Sequence, residues 1–440
     1  MTTQSSSKKV GPTQKPTLEV QIALNAIRKK LVGKSLSYKE IYAIMDSISH
    51  KRLGDVLTTY FAASGYSTGF NNQELFYLTK AMVETGERLH FKGIVADKHS
   101  IGGIPGTRTT LVVIPIIAAA GFTIPKSSSR AITTPGGTAD DMEVLAPVEF
   151  SKSQIYDIVK KTNGCIVWGG SFHIAPADDI IIRVEEPLLF ESYDKILVSI
   201  MAKKIAFGSN HVVIDIPYGQ SVKVHRLKDA QLLKEKFEFL AEKFHIKIRC
   251  IVHRTDEPTG CGIGPILETR ESLRVLEQKP NRPLDLEIRS LNLAGNLLEI
   301  CLEDSPQKLR KTIKTEYGNG IGWATHLLKI GLALSKMREI IKAQGGKENI
   351  TSDDLKPGKH TYKVYSQKKG IVKKINSHNA TVITKTLGAP HQKRAGIYLE
   401  KKIKEHVEKG ELLYTLYSDN EFTMEEAKKT LSEFEIFTIE

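Results

Sequence analysis

The apolar residues of this chain change their spacing near Gly93, and that change limits the possible folds more than any other feature. From Leu18 to about Leu89 the spacing is helical: Ile41, Ile44, Met45 and Ile48 share one face at i, i+3, i+4 and i+7. Ser37 with Glu40, and Asn71 with Glu74, have the separation of capping boxes, in which a side chain satisfies the orphan N–H groups of a helix start. A small helical domain over 18–90 is therefore expected. After Gly93, short apolar runs (Ile94–Ala96, Ile180–Ile182, Val212–Ile216) read as strands between helix-length segments, the pattern of a large α/β domain with a mixed sheet over 91–340. A helical stretch from Asp194 to Ala206 breaks that alternation, and residues 175–206 are expected to pack back onto the amino-terminal helices. Beyond Pro357 strands are predicted at Tyr362–Tyr365, Gly370–Ile375 and Ala380–Ile383, with a helix from Thr423 on, so a small α+β carboxyl-terminal domain over 357–440 ends the chain.

Composition narrows the function classes. A length of 440 residues suits roughly two to four domains. The net charge of +13 fits either a nucleic-acid binder or a protein with basic pockets for phosphorylated metabolites. Because the lysines are spread along the chain, the second is favoured and nucleic acid is not expected as a partner. The apolar stretch Leu111 to Ala120 is interrupted by Pro115 and is too short to span a bilayer. Met1 to Pro16 is polar and lacks the apolar core of a secretory signal, so 1–17 reads as a flexible tail on a cytoplasmic protein. Cys165, Cys250, Cys261 and Cys301 lie too far apart for a redox pair or a zinc site, so reduced thiols and no bound metal are expected.

Two segments are suited to an anion. In Asp97-Lys98-His99-Ser100-Ile101-Gly102-Gly103, continuing to Thr109-Thr110, glycines let the backbone approach a phosphate and a following helix offers free N–H groups. A helix dipole contributes only about 0.3 to 1 kcal/mol, against about 1.5 to 3 for each charge-assisted hydrogen bond, so Lys98, Ser100, Thr109 and Thr110 matter more than the dipole. A glycine loop alone is as often a plain tight turn. Lys98-His99-Ser100 in front of it tips the balance, since a histidine beside an anion can act as an acid or hydrogen-bond donor. The second segment, Ser127 to Asp141, again sets hydroxyl groups, glycines and one arginine ahead of a helix. In an α/β sheet both would converge on one crevice. Ser199 and Lys203, four residues apart, share a helix face, which taken alone is as well explained by solvent exposure.

Taken together these residues resemble the thymidine phosphorylase family from about Leu18 to Ser432. The resemblance rests on Lys98-His99-Ser100 with Gly102-Gly103, Ser128 to Thr133, Gly136-Gly137-Thr138, Trp168-Gly169-Gly170, Pro176-Ala177-Asp178-Asp179 and the Ser199–Lys203 helix. Within that family the chain is most similar to the branch holding archaeal AMP phosphorylases and their bacterial relatives. The resemblance implies a nucleoside phosphorylase/phosphoribosyltransferase-like fold, a homodimer, and no cofactor, inorganic phosphate being a co-substrate. It implies phosphate binding by Lys98, Ser100, Thr110, Ser128 and Thr138, and base binding by His99, Arg183, Ser199 and Lys203, with His99 donating a proton. In the AMP branch the nucleotide contacts fall on Gly103, Ser129, Arg130, Ala131, Ile132, Thr133, Thr134, Thr138, Ser199 and Lys223, and Glu191 matches an acidic proton donor. The sequence departs from these patterns at Ile101, where the family has threonine, in one extra residue between Ile104 and Arg108, and at Glu191, where the branch has aspartate.

The expected reaction is phosphorolysis of a pyrimidine nucleoside, thymidine first, with AMP phosphorolysis as the alternative. Arg130 and Lys223 separate the two if they hold a second phosphate. The cleft is expected to close over its substrates. A phosphoribosyl pyrophosphate-dependent transferase would need a metal and a different glycine loop. A nucleic-acid binder would have no use for clustered phosphate loops, and would bind with a steep salt dependence.

Overall fold

The structure is a computed structural model, and it describes residues 17–131, 134–185 and 192–440. Four helices come first: α1 (Leu18–Leu31), α2 (Tyr38–Ser49), α3 (Gly54–Thr68) and α4 (Asn72–Glu84). Both expected capping boxes form, Ser37 with Glu40 and Asn71 with Glu74. Glu74 does more than cap. Its buried carboxylate takes Lys30 Nζ at 2.9 Å and the Leu36 N–H at 3.0 Å, joining α1, α4 and the α1–α2 turn.

The α/β region runs β1 (Ala96–Ser100), α5 (Thr109–Ala119), β2 (Ile124–Ser128), α6 (Thr138–Met142), α7 (Lys152–Thr162), β3 (Gly164–Trp168), a 3₁₀ turn (Gly169–Phe172), α8 (Pro176–Glu185), α9 (Tyr193–Ala206), β4 (His211–Tyr218), α10 (Leu227–Lys243) and β5 (Lys247–Arg254). It continues with β6 (Gly262–Ile263), α11 (Pro265–Leu276), α12 (Leu284–Glu303), α13 (Gln307–Tyr317), α14 (Gly320–Lys329) and α15 (Leu332–Ala343). Strands β1, β4 and β5 pair in the order β1-β4-β5, and β2 pairs with β3, all parallel. A parallel bridge between Val95 and Thr123 sets the two groups side by side. The antiparallel contribution comes from β6, which leaves this layer to pair with β9 of the last domain. Helix α5 is apolar on every side and buried from Thr109 to Ala118, which places it beneath the sheet against α12 and α15.

The last domain holds β7 (His360–Tyr365), β8 (Gly370–Ile375), α16 (Ser377–Thr386), β9 (Gly396–Leu399), β10 (His406–Val407), β11 (Leu412–Ser418), α17 (Glu421–Thr430) and β12 (Phe437–Ile439). Its antiparallel sheets, β10-β8-β12 and β6-β9-β11-β7, enclose a separate core.

Five expectations about elements need correction. The strand read at Ile94–Ala96 runs instead from Ala96 to Ser100, so Lys98, His99 and Ser100 sit on the strand end rather than in the loop after it. Ser127 and Ser128 likewise close β2. Ile180–Ile182 is helical, because Ala177, Ile181 and Val184 bury one face of α8 at helical spacing. Ala380–Ile383 lies in α16, capped by Asn376, whose side chain accepts from the Asn379 N–H. At the terminus α17 gives way to β12, which pairs with β8.

One apolar core joins Ile41, Ile44 and Leu75 of the bundle to Ala177 and Ile181 of α8, Leu197 and Met201 of α9, and Val212 and Ile214 on one face of β4. A second core lies under the sheet, around α5, α11, α12, α14 and α15. Between the two, above the carboxyl ends of the parallel strands, opens a cavity of about 1470 Å³.

Candidate active site

The ends of β1 and β2 supply the floor of that cavity. Lys98 is buried, and its Nζ donates to Thr109 Oγ1 at 2.6 Å and lies 3.3 Å from Thr110 Oγ1, both in the first turn of α5. Burial pushes the Lys98 ammonium down to about 7, against the pull of Asp215. Ser100 Oγ donates to Asp215 at 2.7 Å. Asp215 also accepts from Arg289 at 3.0 Å and sits 2.7 Å from His253 Nε2. Burial alone would raise the Asp215 carboxyl. The His253 hydrogen bond and the Arg289 and Lys98 charges hold it well below its ordinary value instead.

His99 lines the same cavity. Burial, reinforced by Lys204, Lys126, Lys98 and Lys203, lowers its imidazole far below the ordinary range. A neutral imidazole at this position still carries one N–H to donate. Behind it, Asp97 takes Lys204 at 2.6 Å and Lys126 at 3.4 Å. One carboxylate cannot balance both ammonium groups in a dry interior, and burial drives Lys126 well below its ordinary value.

The second loop folds over β2. The Gly137 and Ala131 N–H groups both donate to Asp140 Oδ2, at 2.9 and 2.7 Å, and a side chain at Gly137 would collide with the Ser129 carbonyl. The Thr107, Ser127 and Ser128 hydroxyls are buried without a hydrogen-bond partner among the described residues, so this part of the cleft has polar groups able to bond a ligand. Thr134 and Thr138 line the cavity with them. Gly103 has φ +96°, and a Cβ there would lie 2.8 Å from both the Lys223 backbone nitrogen and Lys223 Cγ. Only glycine lets the β4–α10 loop bring Lys223 against the Lys-His-Ser strand end.

Across the cleft, Lys203 pairs with Asp178 at 2.6 Å, and Ser199 Oγ donates to the same carboxylate at 2.7 Å. Burial opposes the Lys203 charge, but Asp178 outweighs it and keeps the ammonium protonated.

Lys98, His99, Ser100, Gly103, Thr110, Ser128, Ser129, Ala131, Thr134, Thr138, Ser199, Lys203 and Lys223 are thus gathered around one space. Two expected side chains stand differently. Arg183 lies outside the cavity, 60% exposed, and grips Asp55 of α3 with both terminal nitrogens at 2.6 and 3.0 Å. Arg130 reaches the rim, but its guanidinium is held by Glu143, Glu149 and Asp140 and lies 4.9 Å from the Trp168 ring centre. Three carboxylates thus hold the guanidinium at the rim. Ile132, Thr133 and Glu191 lie outside the described residues.

The network under Ser100 is absent from the sequence expectations. A signal for Asp215 was present: a lone carboxylate inside the apolar run Val212–Ile216 needs buried partners. Nothing local marked His253 or Arg289.

Residues 24–86 match the helical bundle domain of a glycosyl transferase family, residues 92–237 match that family's a/b domain, and residues 371–436 match the pyrimidine nucleoside phosphorylase C-terminal domain. The chain is 43% identical to an AMP phosphorylase of Thermofilum pendens over 93% of its own length and 77% of the relative's. It is 42% identical to a putative thymidine phosphorylase of Legionella pneumophila strain Paris, covering 90% of this chain and 74% of that one. Among solved structures, anthranilate phosphoribosyltransferase from Thermus thermophilus shares the fold, with a TM-score of 0.58 at 16% identity, over 72% of this chain and 99% of that chain. A helical bundle facing a parallel α/β layer, with anion-suited strand ends between them, defines a pentosyltransferase of the glycosyl transferase type. The chain belongs to the pyrimidine nucleoside phosphorylase family, whose members here include AMP phosphorylases.

Proposed function

We propose that this enzyme carries out the reversible phosphorolysis of a nucleoside 5′-monophosphate, AMP being the first candidate, to free base and ribose 1,5-bisphosphate. The observation that carries this reading is the pair of cationic stations in one cleft: Lys98 at the end of β1, and Lys223, brought in by the close approach at Gly103. A nucleoside needs one phosphate station, for the attacking phosphate. A nucleotide needs two. The AMP phosphorylases among the relatives support the same reading.

In this mechanism Lys98, Ser100, Thr110, Ser128 and Thr138 hold inorganic phosphate below the sugar. A phosphate oxygen forms a bond to C1′ as the C1′–N bond breaks, its electron pair leaving with the base, and the anomeric centre inverts. His99, Ser199 and Lys203 face the base and stabilise the charge that grows on it. Glu191 is the candidate proton donor to that base. No cofactor takes part in this scheme.

Thymidine phosphorolysis is the second reading. It is supported by the Asp178–Ser199–Lys203 group, which offers a cation and a hydroxyl to a pyrimidine edge, and by the Legionella relatives named as putative thymidine phosphorylases. Free base released from AMP, CMP, UMP, thymidine and uridine in the presence of phosphate separates the two. Nucleotides should be cleaved faster than nucleosides, and Lys223→Ala should abolish that preference while sparing residual nucleoside turnover. Release from none of them by folded protein would overturn both readings. A homodimer in the cytoplasm is the proposed setting.

A further inference from the structure

The carboxyl-terminal domain also reaches the cleft. The turn between β8 and α16, and the first turns of α16, line the cavity through Lys374, Asn376, Ser377, His378 and Thr381. Helix α16 spans ten residues, so its amino terminus carries unpaired N–H groups and a partial positive charge. Its Asn376 cap satisfies the Asn379 N–H and leaves the earlier ones to other partners.

Three side chains at this helix start have polar groups to spare. Ser377 is 2% exposed, and its Oγ has no hydrogen-bond partner among the described residues, while its carbonyl is taken by Thr381 Oγ1 at 2.8 Å. That is the condition of Ser127 and Ser128 at the end of β2 in the same cavity. The Lys374 and His378 side chains form no ion pair or hydrogen bond with any described residue, whereas neighbouring Lys373 is paired with Glu440 at 3.5 Å. Beyond α16, Lys393 Nζ reaches Asp140, the carboxylate that takes the Gly137 and Ala131 N–H groups, at 3.0 Å.

We propose that the start of α16, with Lys374, Ser377 and His378, is a further anion subsite of the cleft that takes a phosphate group. An unpaired buried hydroxyl, free helix N–H groups and two unpaired basic side chains are together the donor set of a phosphate site. The subsite belongs to a different domain from the Lys98 and Lys223 stations, and it does not depend on which substrate is cleaved.

Inorganic phosphate titrated into the full-length protein, at ionic strength matched with chloride, reads the subsite through the imidazole proton resonances of His378, assigned by their loss in His378→Gln. A saturable shift is expected, weakened about tenfold in affinity by Lys374→Ala and preserved in Lys98→Met. Overturning results are a response no larger than chloride gives, or one abolished by Lys98→Met, since His378 would then only sense the Lys98 station. Kinetics of the Lys374→Ala/His378→Ala double variant identify the source of the phosphate. A raised KM for inorganic phosphate with every substrate marks free phosphate, and a raised KM for nucleotides alone marks a substrate phosphomonoester. If both constants stay unchanged, the subsite has no part in the reaction. If no nucleoside or nucleotide is cleaved at all, the proposed activity falls while the resonance titration still decides the subsite.

Discussion

Lys98 shows how burial converts an ordinary ammonium into a group that responds near neutrality. Its proton is held only up to about pH 7 in the free protein, because desolvation outweighs the pull of Asp215. An arriving phosphate dianion favours the charged form, so the pKa of Lys98 in the complex rises above its value in the free protein. Between those two values, binding takes up a proton, and affinity falls as pH rises through the window. Calorimetry at pH 8, in buffers of different ionisation enthalpy, should therefore count proton uptake approaching one per phosphate for the wild type and none for Lys98→Met. Equal counts would remove Lys98 from the phosphate station. His99 points the other way. Its cationic form is suppressed by burial and four lysines, so the pH–rate profile of His99→Gln should lose no ionisation between pH 6 and 8, although kcat falls. At this scale the sequence was legible wherever chemistry lay in consecutive residues, as in Lys98-His99-Ser100. Asp215, His253 and Arg289 assemble only when β4, β5 and α12 meet, and no local pattern encodes that meeting.

Among the elements, α8 carries two residues with different positions. Asp178 faces the cleft and holds Ser199 and Lys203, while Arg183, five positions on, faces α3 and Asp55. With the cleft as it stands, Arg183→Ala should lower kcat/KM by no more than about threefold, the usual scale for an exposed ion pair. A fall of a hundredfold would mean that Arg183 leaves Asp55 and enters the site during turnover. The bundle offers a stability test. Glu74 is buried with Lys30 and receives two further main-chain N–H groups, so Glu74→Ala strands an ammonium in the interior. Unfolding by denaturant should show a loss of about 3 to 5 kcal/mol. Elements with strong caps and long amphipathic runs, such as α2 and α4, were readable from sequence. The two misread as strands, Ile180–Ile182 and Ala380–Ile383, are short apolar runs whose period cannot distinguish helix from strand. Tertiary packing decides them: α8 against the bundle, and α16 inside the last domain.

For the molecule as a whole, the proposed phosphate stations belong to the strand ends, while Asp178, Ser199 and Lys203 ride on helices that share a core with the amino-terminal bundle. That division proposes a closing motion, which would exclude water and leave phosphate as the acceptor. Small-angle scattering should show a smaller radius of gyration with phosphate and an uncleavable nucleotide analogue than with neither. An unchanged curve at saturation would rule the motion out. The change of period at Gly93 marked the passage from bundle to α/β layer, but not the return of α8 and α9 as a firm result, because their partners lie more than a hundred residues upstream.

The cleft draws its walls from both early and late chain segments, from Lys98 near the first quarter to His378 near the end. For a chain emerging from the ribosome, this makes the active site a late product. The Lys-His-Ser strand end is made early, yet one wall of the cleft waits for β8 and α16, and such distant contacts are slow to close. Refolding followed by helix content should run ahead of refolding followed by recovered activity, so a newly made chain spends time shaped like an enzyme before it can act as one.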